Sequence, residues 1–323
     1  MAKKKLKIGI LFGGKSAEHE VSIVSAKNII KALDKQKYQV FPTKIDKNGK
    51  FNLNSIKKMD VIFPVLHGPY GEDGSMQGLL KILNLPFVGP SVLGSAVGMD
   101  KDVMKRLFKE AGIPIGKFIT LYNGEKISFE KIKKILGLPV FIKPANMGSS
   151  VGISKVKNES EWKKALKDAF LYDSKIVVEE NTNGQEIECS VLGNEKPMAS
   201  VLGEIVPKND FYSYKAKYID EDGASLLIPA KVSKVITKKV QNLAIKVFQT
   251  LNCEGMGRID FFVKKNGEVI VNEINTIPGF TSISMYPKLW EASGIPTSKL
   301  LDRLIDLAIE RYNREKKLKT VVK

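Results

Sequence analysis

The segment of residues 257–279 contains two acids whose spacing could hold a metal ion. Its sequence, GRIDFFVKKNGEVIVNEINTIPG, has Asn266-Gly267 near its middle, the strongest short signal for a two-residue hairpin turn of type I′. That turn places Asp260 directly opposite Glu273 on the neighbouring strand, and Arg258 opposite Asn275. These four side chains share one face of the hairpin, because side chains alternate along a strand. The other face is then apolar core, formed by Ile259, Phe261, Val263, Ile270 and Ile274.

Two carboxylates that face each other across a ladder repel unless something compensates their charge. Asp260, Glu273 and Asn275 offer only oxygen atoms, which suit Mg²⁺ or Mn²⁺ better than zinc. The alternative is a salt bridge from Arg258 to one acid, but one arginine does not satisfy both acids and the amide. The hairpin therefore predicts a divalent-metal site, which a one-residue slip of the register would destroy.

Residues 140–152, VFIKPANMGSSVG, have the composition of a phosphate-binding loop. A strand and Lys143 are followed by small residues, which let backbone N–H groups approach phosphate oxygens while the lysine balances their charge. The loop is not a Walker A motif, since residues 140–152 do not contain GxxxxGK[ST]. Together with the metal site, it indicates that the chain binds a phosphorylated ligand.

A third candidate site follows the apolar run at residues 8–12. This run ends in Gly13-Gly14 without a GxGxxG motif, which argues against a nicotinamide dinucleotide. The polar stretch SAEHEVS at 16–22 comes next, at the carboxyl end of the strand, where open α/β sheets bind ligands. Glu18 and His19 are therefore candidates for ligand binding and equally for capping the helix that follows.

The elements that must position these residues alternate between strand and helix near the amino terminus, which predicts a parallel sheet covered by helices. Changes of pattern near residues 100 and 186 divide the chain into units of 1–99, 100–186 and 187–323. Asp100 is a good N-cap for a helix at 100–111. Further helices are predicted at 22–33, 129–136, 160–169, 233–251, 284–292 and 298–311. Strands are predicted at 7–12, 38–45, 60–66, 139–143, 151–156, 175–180, 187–192 and 198–205, besides the hairpin.

Composition excludes several classes of protein. No stretch of the 323 residues approaches the roughly 20 apolar residues that span a bilayer. The two cysteines, Cys189 and Cys253, show no CxxC spacing, which favours a reducing, cytoplasmic compartment. The net charge of +17 suggests nucleic-acid binding. Only five of the 52 basic residues are arginine, however, so the lysines are interpreted as a solvated surface.

Seven segments, in this order and combination, resemble the D-alanine–D-alanine ligase family of the ATP-grasp superfamily. They cover nearly the whole chain: GGKSAEHEVS (13–22), LHGPYGEDGSMQG (66–78), GMDK (98–101), IKPANMGSSVG (142–152), FYSYKAKY (211–218), GRIDFF (257–262) and NEINTIPGFTSIS (272–284). The resemblance implies an α/β (α+β) fold of three domains with the ATP-grasp architecture. The amino-terminal domain would contain a Rossmann-like parallel sheet, the central domain would be a lid over ATP, and the carboxyl-terminal domain would hold the metal.

The resemblance also implies the reaction, a ligation of two D-alanines for peptidoglycan synthesis. The first carboxylate would attack the γ-phosphate of ATP, and the second amine would attack the resulting acyl phosphate. The residues implied to bind ATP are Lys101, Lys143, Ser150, Glu179, Glu180, Glu186, Lys217 and Phe262. Those implied to hold two Mg²⁺ ions, or Mn²⁺, are Asp260, Glu273 and Asn275. Those implied to bind D-alanine are Glu18, His67, Ser284 and Met285.

The groups implied to act in catalysis are Glu18, Ser149, Tyr218, Arg258 and the backbone near Gly279. Glu18 would hold the first ammonium and be linked to Ser149 and Tyr218 by hydrogen bonds. Arg258 and the backbone near Gly279 would stabilise the anionic tetrahedral centre. A cytoplasmic homodimer, without nucleic-acid or membrane partners, is also implied.

This sequence departs from the family's pattern at two places. Asn181 and Thr182 stand where relatives often have an aromatic residue beside the adenine, and His19 stands where arginine is more frequent. FYSYKAKY resembles the peptide-forming type within the family, which implies D-alanyl-D-alanine rather than D-alanyl-D-lactate as the product. The remaining alternatives are another carboxylate–amine ligase of the superfamily, a nucleic-acid-binding protein and a dehydrogenase.

Overall fold

The computed structural model describes residues 4–207 and 224–319. The amino-terminal part contains three parallel strands, β1 (Leu6–Gly13), β2 (Tyr38–Ile45) and β3 (Val61–Val65), in the order β2-β1-β3. The helices of this unit are α1 (His19–Ala32), α2 (Ser75–Ile82) and α3 (Val92–Met99). All five residues of β3 are buried, as expected of a parallel strand covered on both faces. The parallel order confirms the Rossmann-like sheet expected from the sequence.

Helix α4 (Lys101–Glu110) connects the first unit to the second. Asp100 caps it as predicted, because its side chain accepts hydrogen bonds from the backbone N–H groups of Asp102 and Val103. Its apolar side, with Met104 and Phe108, packs into the core of the carboxyl-terminal sheet.

The second unit is an antiparallel sheet with two helices, which we call the lid. Its strands are β4 (Phe118–Tyr122), β5 (Val140–Pro144), β6 (Ser154–Val156) and β7 (Lys175–Glu180), in the order β4-β7-β5-β6. Its helices are α5 (Phe129–Leu136) and α6 (Glu159–Ala169). Ser128 caps α5, and Gly137 follows its last residue with a positive φ, so both ends of this helix are set by local sequence.

The third unit contains an antiparallel sheet in the described part of the chain. Its strands are β8 (Gln185–Gly193), β9 (Met198–Pro207), β10 (Ala224–Leu227), β11 (Gly255–Val263) and β12 (Val269–Asn275), in the order β10-β9-β8-β11-β12. The accompanying helices are α7 (Lys234–Thr250), α8 (Met285–Ala292) and α9 (Thr297–Glu315).

The buried side chains show that the first and third units share a core, whereas the lid has its own. The shared core joins Ile8, Ile10 and Phe63 of the parallel sheet to residues of α8 and α9, among them Trp290, Leu300 and Leu304. The lid core contains only residues between 121 and 178, including Trp162. The predicted division at residues 99 and 186 stays a prediction.

The hairpin between β11 and β12 confirms the predicted pairing but not the predicted turn. Asp260 pairs with Glu273 and Arg258 with Asn275, as expected. The prediction of a two-residue turn was wrong, because Val263 pairs with Val269 and the loop spans residues 265–267, with Gly267 at φ 81°. A three-residue loop of this kind requires a left-handed residue at its end. A bulge at Asn272 then restores the expected register beyond it.

The bulge also corrects the predicted core face of β12. Ile270 was expected in the core, but it pairs with Phe262 and lies on that residue's face, where both line a cavity. Val269 and Val271 take the core positions instead. One extra residue reverses the alternation of side chains. Ile270 and Ile274, which were predicted to share one face of β12, therefore lie on opposite faces.

Other expectations about the core are confirmed. Trp162, Trp290, Cys189 and Cys253 are all buried. Two helices and two strands, α2, α3, β4 and β10, were not predicted from the sequence. Within the ranges 4–207 and 224–319, no helix has both the length and the apolarity needed to cross a membrane.

Candidate active site

A cavity of about 280 Å³ lies between the lid and the hairpin of the carboxyl-terminal unit. It is lined by Gly116 and by residues from five segments that are distant in sequence: the start of α4, the segment from β5 through β6, the end of β7, the stretch of residues 181–186, and the β11–β12 hairpin. Many of the residues expected from the family resemblance meet here, namely Lys101, Lys143, Ser149, Ser150, Glu179, Glu180, Glu186, Phe262 and Glu273. Lys217 and Tyr218 lie outside the described residues.

Two lysines and one acid form a buried cluster inside this cavity. Lys143 Nζ lies 2.8 Å from Glu179 Oε2, and Lys105 Nζ lies 3.2 Å from Glu179 Oε1. Burial alone would raise the pKa of Glu179, but the two ammonium groups lower that pKa to about 2. Burial also lowers the pKa of Lys105, and the nearby Lys143 charge adds to this effect. The pKa of Lys143 is raised, because Glu179 and Glu273 outweigh its burial.

Lys101 completes the positive charge at the hairpin end of the cavity. It is the first residue of α4, and its Nζ donates to the carbonyl of Met147 at 2.7 Å and lies 3.5 Å from Glu273 Oε2. Lysines 101, 105 and 143 therefore surround a space bordered by small loop residues. Such an arrangement suits the phosphate groups of a nucleotide.

The β5–β6 loop is held in a strained conformation against the amino-terminal unit. Ser149 and Ser150 have φ values of 52° and 62°, in the left-handed region that non-glycine residues rarely adopt. The Ser149 hydroxyl donates a hydrogen bond to the Glu18 carboxylate, so the link expected between these two residues is present. A methyl group added at Gly148 would come within 2.9 Å of Glu18 Oε2. The loop thus brings the cavity beneath the lid and the candidate ammonium site together.

The hairpin acids occupy different environments. Asp260 accepts two hydrogen bonds of 2.8 Å from the guanidinium of Arg258, which also lies 3.0 Å from Glu188. The alternative salt bridge considered from the sequence is therefore formed, and it leaves Asn275 without a partner. Asn275 Oδ1 is buried and accepts no hydrogen bond from the described residues.

The donors at this hairpin fit a magnesium ion only if other ligands complete the shell. Among the residues that the structure describes, no group of three His, Cys, Asp or Glu side chains could hold a metal ion. Asp260, Glu273 and the buried amide oxygen of Asn275 together supply oxygen ligands alone. Mg²⁺ in proteins takes few such ligands and completes its octahedron with water and substrate phosphates.

The substrate end of the site is built by two loops that interlock across the first and third units. His67 Nδ1 lies 2.9 Å from the carbonyl of Ile277, and Glu72 Oε1 accepts the N–H of the same residue at 3.0 Å. Glu72 Oε2 accepts the Gly68 N–H at 2.7 Å. Burial, together with the charge of Glu18, raises the pKa of Glu72 to about 8. Burial lowers the pKa of His67, although Glu18 opposes this shift, so the imidazole is neutral at physiological pH.

The loop that follows Ile277 presents backbone groups beside these residues. Ser284 Oγ accepts the N–H of Thr281 at 2.9 Å, and a methyl group on Gly279 would come within 2.8 Å of that oxygen. Met285 was expected to bind substrate, but its side chain packs with Ile205 and Leu289 in an apolar cluster. Any contact of Met285 with a carboxylate must therefore use its backbone N–H at the start of α8.

The part of the cavity lined by Asn181 and Thr182, where the resemblance places the adenine base, has polar walls. Asn181 Nδ2 donates to Asn183 Oδ1 at 2.9 Å, and Thr182 lies near Gly116. Glu180 uses one carboxylate oxygen to accept the Lys117 N–H at 2.9 Å. The apolar contacts available to a base come from Phe141, Ile153, Phe262 and Ile270.

Glu18 and His19, which were candidates both for capping α1 and for binding a ligand, differ in their contacts. Glu18 occupies the N-cap position but makes no side-chain capping hydrogen bond. His19 is buried, and its Nδ1 lies 2.7 Å from the carbonyl of Gly14. His19 thus fixes the turn before the helix rather than capping its N–H groups. Glu18 is left to point toward Ser149.

Sequence reasoning missed four residues of this site: Glu72, Lys105, Lys155 and Asn272. Asn272 is the bulged residue of β12, whose side-chain oxygen lies 3.4 Å from Lys143 Nζ and whose carbonyl lies 3.3 Å from Lys105 Nζ. Lys105 follows Lys101 by four residues and so lies on the same face of α4, which could have identified it.

The chain is similar to known proteins in both sequence and structure. The family models described as D-ala D-ala ligase N-terminus and D-ala D-ala ligase C-terminus match residues 7–58 with 51–90, and 107–306, respectively. The D-alanine–D-alanine ligase of Oceanobacillus iheyensis is 50% identical, over 98% of this chain and 98% of its own.

Solved structures agree with the sequence comparison. The D-alanine–D-alanine ligase of Coxiella burnetii superposes with a TM-score of 0.88 at 40% identity, covering 98% of this chain and 97% of that one. The ligase of Bacillus anthracis complexed with ATP gives a TM-score of 0.83 at 30% identity, covering 96% and 99%. These matches extend over all three units. Because of this agreement in sequence and structure, the chain belongs to the D-alanine–D-alanine ligase family.

Proposed function

We propose that this chain uses ATP and Mg²⁺ to join two molecules of D-alanine into D-alanyl-D-alanine through D-alanyl phosphate. The observation that carries the proposal is the hydrogen bond between Ser149 and Glu18, which joins two sites. On one side of it lies a cavity with Lys101 and Lys143, and on the other lies a buried carboxylate suited to an ammonium group. Such proximity lets a carboxylate react with a nucleotide phosphate before water does.

Asp260, Glu273 and Asn275 are the proposed magnesium ligands, and Mn²⁺ could take the same oxygen donors. The two ions, when bound, would neutralise negative charge on the phosphoryl oxygens. Their proposed place is supported by the unsatisfied oxygen of Asn275 and by the paired carboxylates.

In the first half-reaction, one carboxylate oxygen of D-alanine forms a bond to the γ-phosphorus, and the bond to ADP breaks. Glu18 holds the ammonium group of this D-alanine, while Lys101 and Lys143 bind the phosphates. His67 lies beside the same substrate and is neutral, so it does not repel the ammonium group. Positioning and preorganised charge supply most of the catalysis in such a step.

In the second half-reaction, the amine of the second D-alanine attacks the activated carbonyl carbon, loses a proton, and displaces inorganic phosphate. Arg258 and the backbone N–H near Gly279 stabilise the negative oxygen of the tetrahedral centre. Ser284 and the backbone N–H of Met285 bind the carboxylate of the second D-alanine at the first turn of α8.

The remaining roles are proposed from the resemblance. Glu179, Glu180 and Glu186 hold the base and ribose, Ser150 closes over the phosphates, and Phe262 packs on the base. Lys217 and Tyr218 would contact the nucleotide and the Glu18–Ser149 pair. A cytoplasmic homodimer is proposed on the same ground.

Phosphate release in the presence of Mg²⁺ and ATP tests the proposal. Release should require D-alanine, L-alanine should not replace it, and mass spectrometry should identify D-alanyl-D-alanine. Release that does not depend on D-alanine would instead indicate another carboxylate–amine ligase. Addition of D-lactate at neutral pH tests the product, and mainly D-alanyl-D-lactate would contradict the assignment as a peptide-forming enzyme.

A further inference from the structure

Lys175 lies outside the cavity, yet it touches the end of α4 from which Lys101 enters the cavity. It is the first residue of β7 in the lid, and its side chain is 13% exposed. Its Nζ donates to both carboxylate oxygens of Asp100, at 2.8 and 2.6 Å, and to Asp102 Oδ2 at 3.4 Å. Asp100 in turn caps α4 directly before Lys101.

The backbone of Lys175 reaches the same helix end by a second route. Its carbonyl accepts the N–H of Ala145 at 3.0 Å, and the carbonyl of Ala145 accepts the N–H of Lys101 at 3.0 Å. Lys101 is thus tied to the lid through its own backbone and through the cap that precedes it. Both connections pass through Lys175.

The charges around Lys175 explain why its ammonium group matters. Asp102 is 2% exposed, and its other oxygen accepts from Thr120 Oγ1 at 2.6 Å and from Arg106 Nε at 2.8 Å. Without Lys175, the carboxylates of Asp100 and Asp102 would face each other at the start of one helix. Repulsion between two partly buried acids would then displace the cap.

We infer that Lys175 is a positioning residue for nucleotide binding, which holds Lys101 in the ATP cavity by fixing the first turn of α4 to the lid. The inference rests on the proposed role of Lys101 as a phosphate ligand. Helix α4 then has two functions on two faces, since its apolar side is anchored in the carboxyl-terminal core. Its polar side contacts the lid, through the bonds of Asp100 and Asp102 to Lys175.

The test measures the dissociation constant of a non-hydrolysable ATP analogue with Mg²⁺ by calorimetry. Lys175→Met should weaken binding about tenfold, the effect of losing a hydrogen bond between charged groups. Lys175→Arg, which keeps the charge, should restore most of the affinity. Lys163→Met is the matched control, because Lys163 forms an exposed ion pair with Glu159 at 3.0 Å within helix α6 of the lid. That variant should bind as the wild type does.

A double-mutant cycle with Lys101→Met separates positioning from general loss of stability. If Lys175 acts through Lys101, the double variant should bind no more than about twofold more weakly than Lys101→Met alone. If the fold-losses in affinity of the two single variants multiply in the double variant, the two lysines act independently and the inference is overturned. The inference is also overturned if Lys175→Met binds the analogue within twofold of wild type. Lys175→Gln, which keeps one donor toward Asp100, provides the same comparison if the methionine variant does not fold. Unchanged binding by Lys101→Met would refute the proposed role of Lys101 and the inference with it.

Discussion

Replacing Glu72 with glutamine should change how the stability of the protein depends on pH. The Glu72 side chain is buried, and its carboxylate accepts backbone hydrogen bonds from Gly68 and Ile277, which belong to the interlocked substrate loops. Burial and the neighbouring charge of Glu18 raise its pKa from 4.5 to about 8. The two N–H donors oppose this shift but do not cancel it.

The sign of the effect follows from where the proton is bound. In the folded protein Glu72 keeps its proton up to about pH 8, whereas in the unfolded chain it loses the proton near pH 4.5. Unfolding between these pH values therefore releases a proton, and the free energy of unfolding falls as pH rises. At about 1.4 kcal/mol per pKa unit, the shift corresponds to at most about 5 kcal/mol between pH 5 and 9.

Glu72→Gln removes this dependence because glutamine has nearly the same shape and does not titrate. Its amide NH₂ group replaces one acceptor, so the variant loses a constant amount of about 1–2 kcal/mol at every pH. Urea denaturation of both proteins at pH 5, 6, 7, 8 and 9 gives the difference in their free energies of unfolding. Titrating groups that do not interact with Glu72 are common to both proteins and cancel in this difference. The difference should shift by several kcal/mol in favour of the variant as pH rises, and parallel curves for the two proteins would refute the reasoning.

Three further predictions concern the metal hairpin, the phosphate loop and the lid core. Glu273→Gln should abolish phosphate release while circular dichroism shows an intact fold, because it removes a proposed metal ligand; undiminished release would remove the metal assignment. Gly148→Ala, whose methyl group would lie 2.9 Å from a Glu18 oxygen, should raise the KM for D-alanine about tenfold or more; Gly78→Ala, which meets open space, is the control, and equal KM values would contradict the contact. Trp162→Ala should destabilise the lid by about 3–5 kcal/mol and split thermal unfolding into two transitions; a single lowered transition would show that the lid core is not independent.

The metal hairpin shows what sequence patterns can and cannot supply. The pairing of Asp260 with Glu273 was predicted correctly because two departures from an ideal hairpin compensate each other. The loop is one residue longer than Asn266-Gly267 indicates, and the bulge at Asn272 shifts the register back. Neither is visible in the pattern, since residues 269–271 are all apolar and alternation does not distinguish their faces.

The elements and residues that were missed depend on tertiary contacts. Helix α3 contains Gly94 and Gly98, which weaken a helical pattern. Their lack of a side chain lets the helix approach Asn252 and Thr276 closely. Glu72 and Lys175 likewise gain their significance from partners far away in the sequence. The motifs around Lys143 and Asp260 were found because their chemistry is contained in one short segment.

The shared core of the first and third units has a consequence for synthesis on the ribosome. The parallel sheet is translated first, but the side chains of Leu300 and Leu304 in α9, which complete its core, are translated near the end. At about 5–20 residues per second, the roughly 235 residues from Val65 to Leu300 take on the order of ten to fifty seconds. During that interval α1 is available to cover the sheet, but the part of the core that α8 and α9 complete has no native cover. We expect this period, rather than the closing of the lid core, to be when the chain most needs a chaperone.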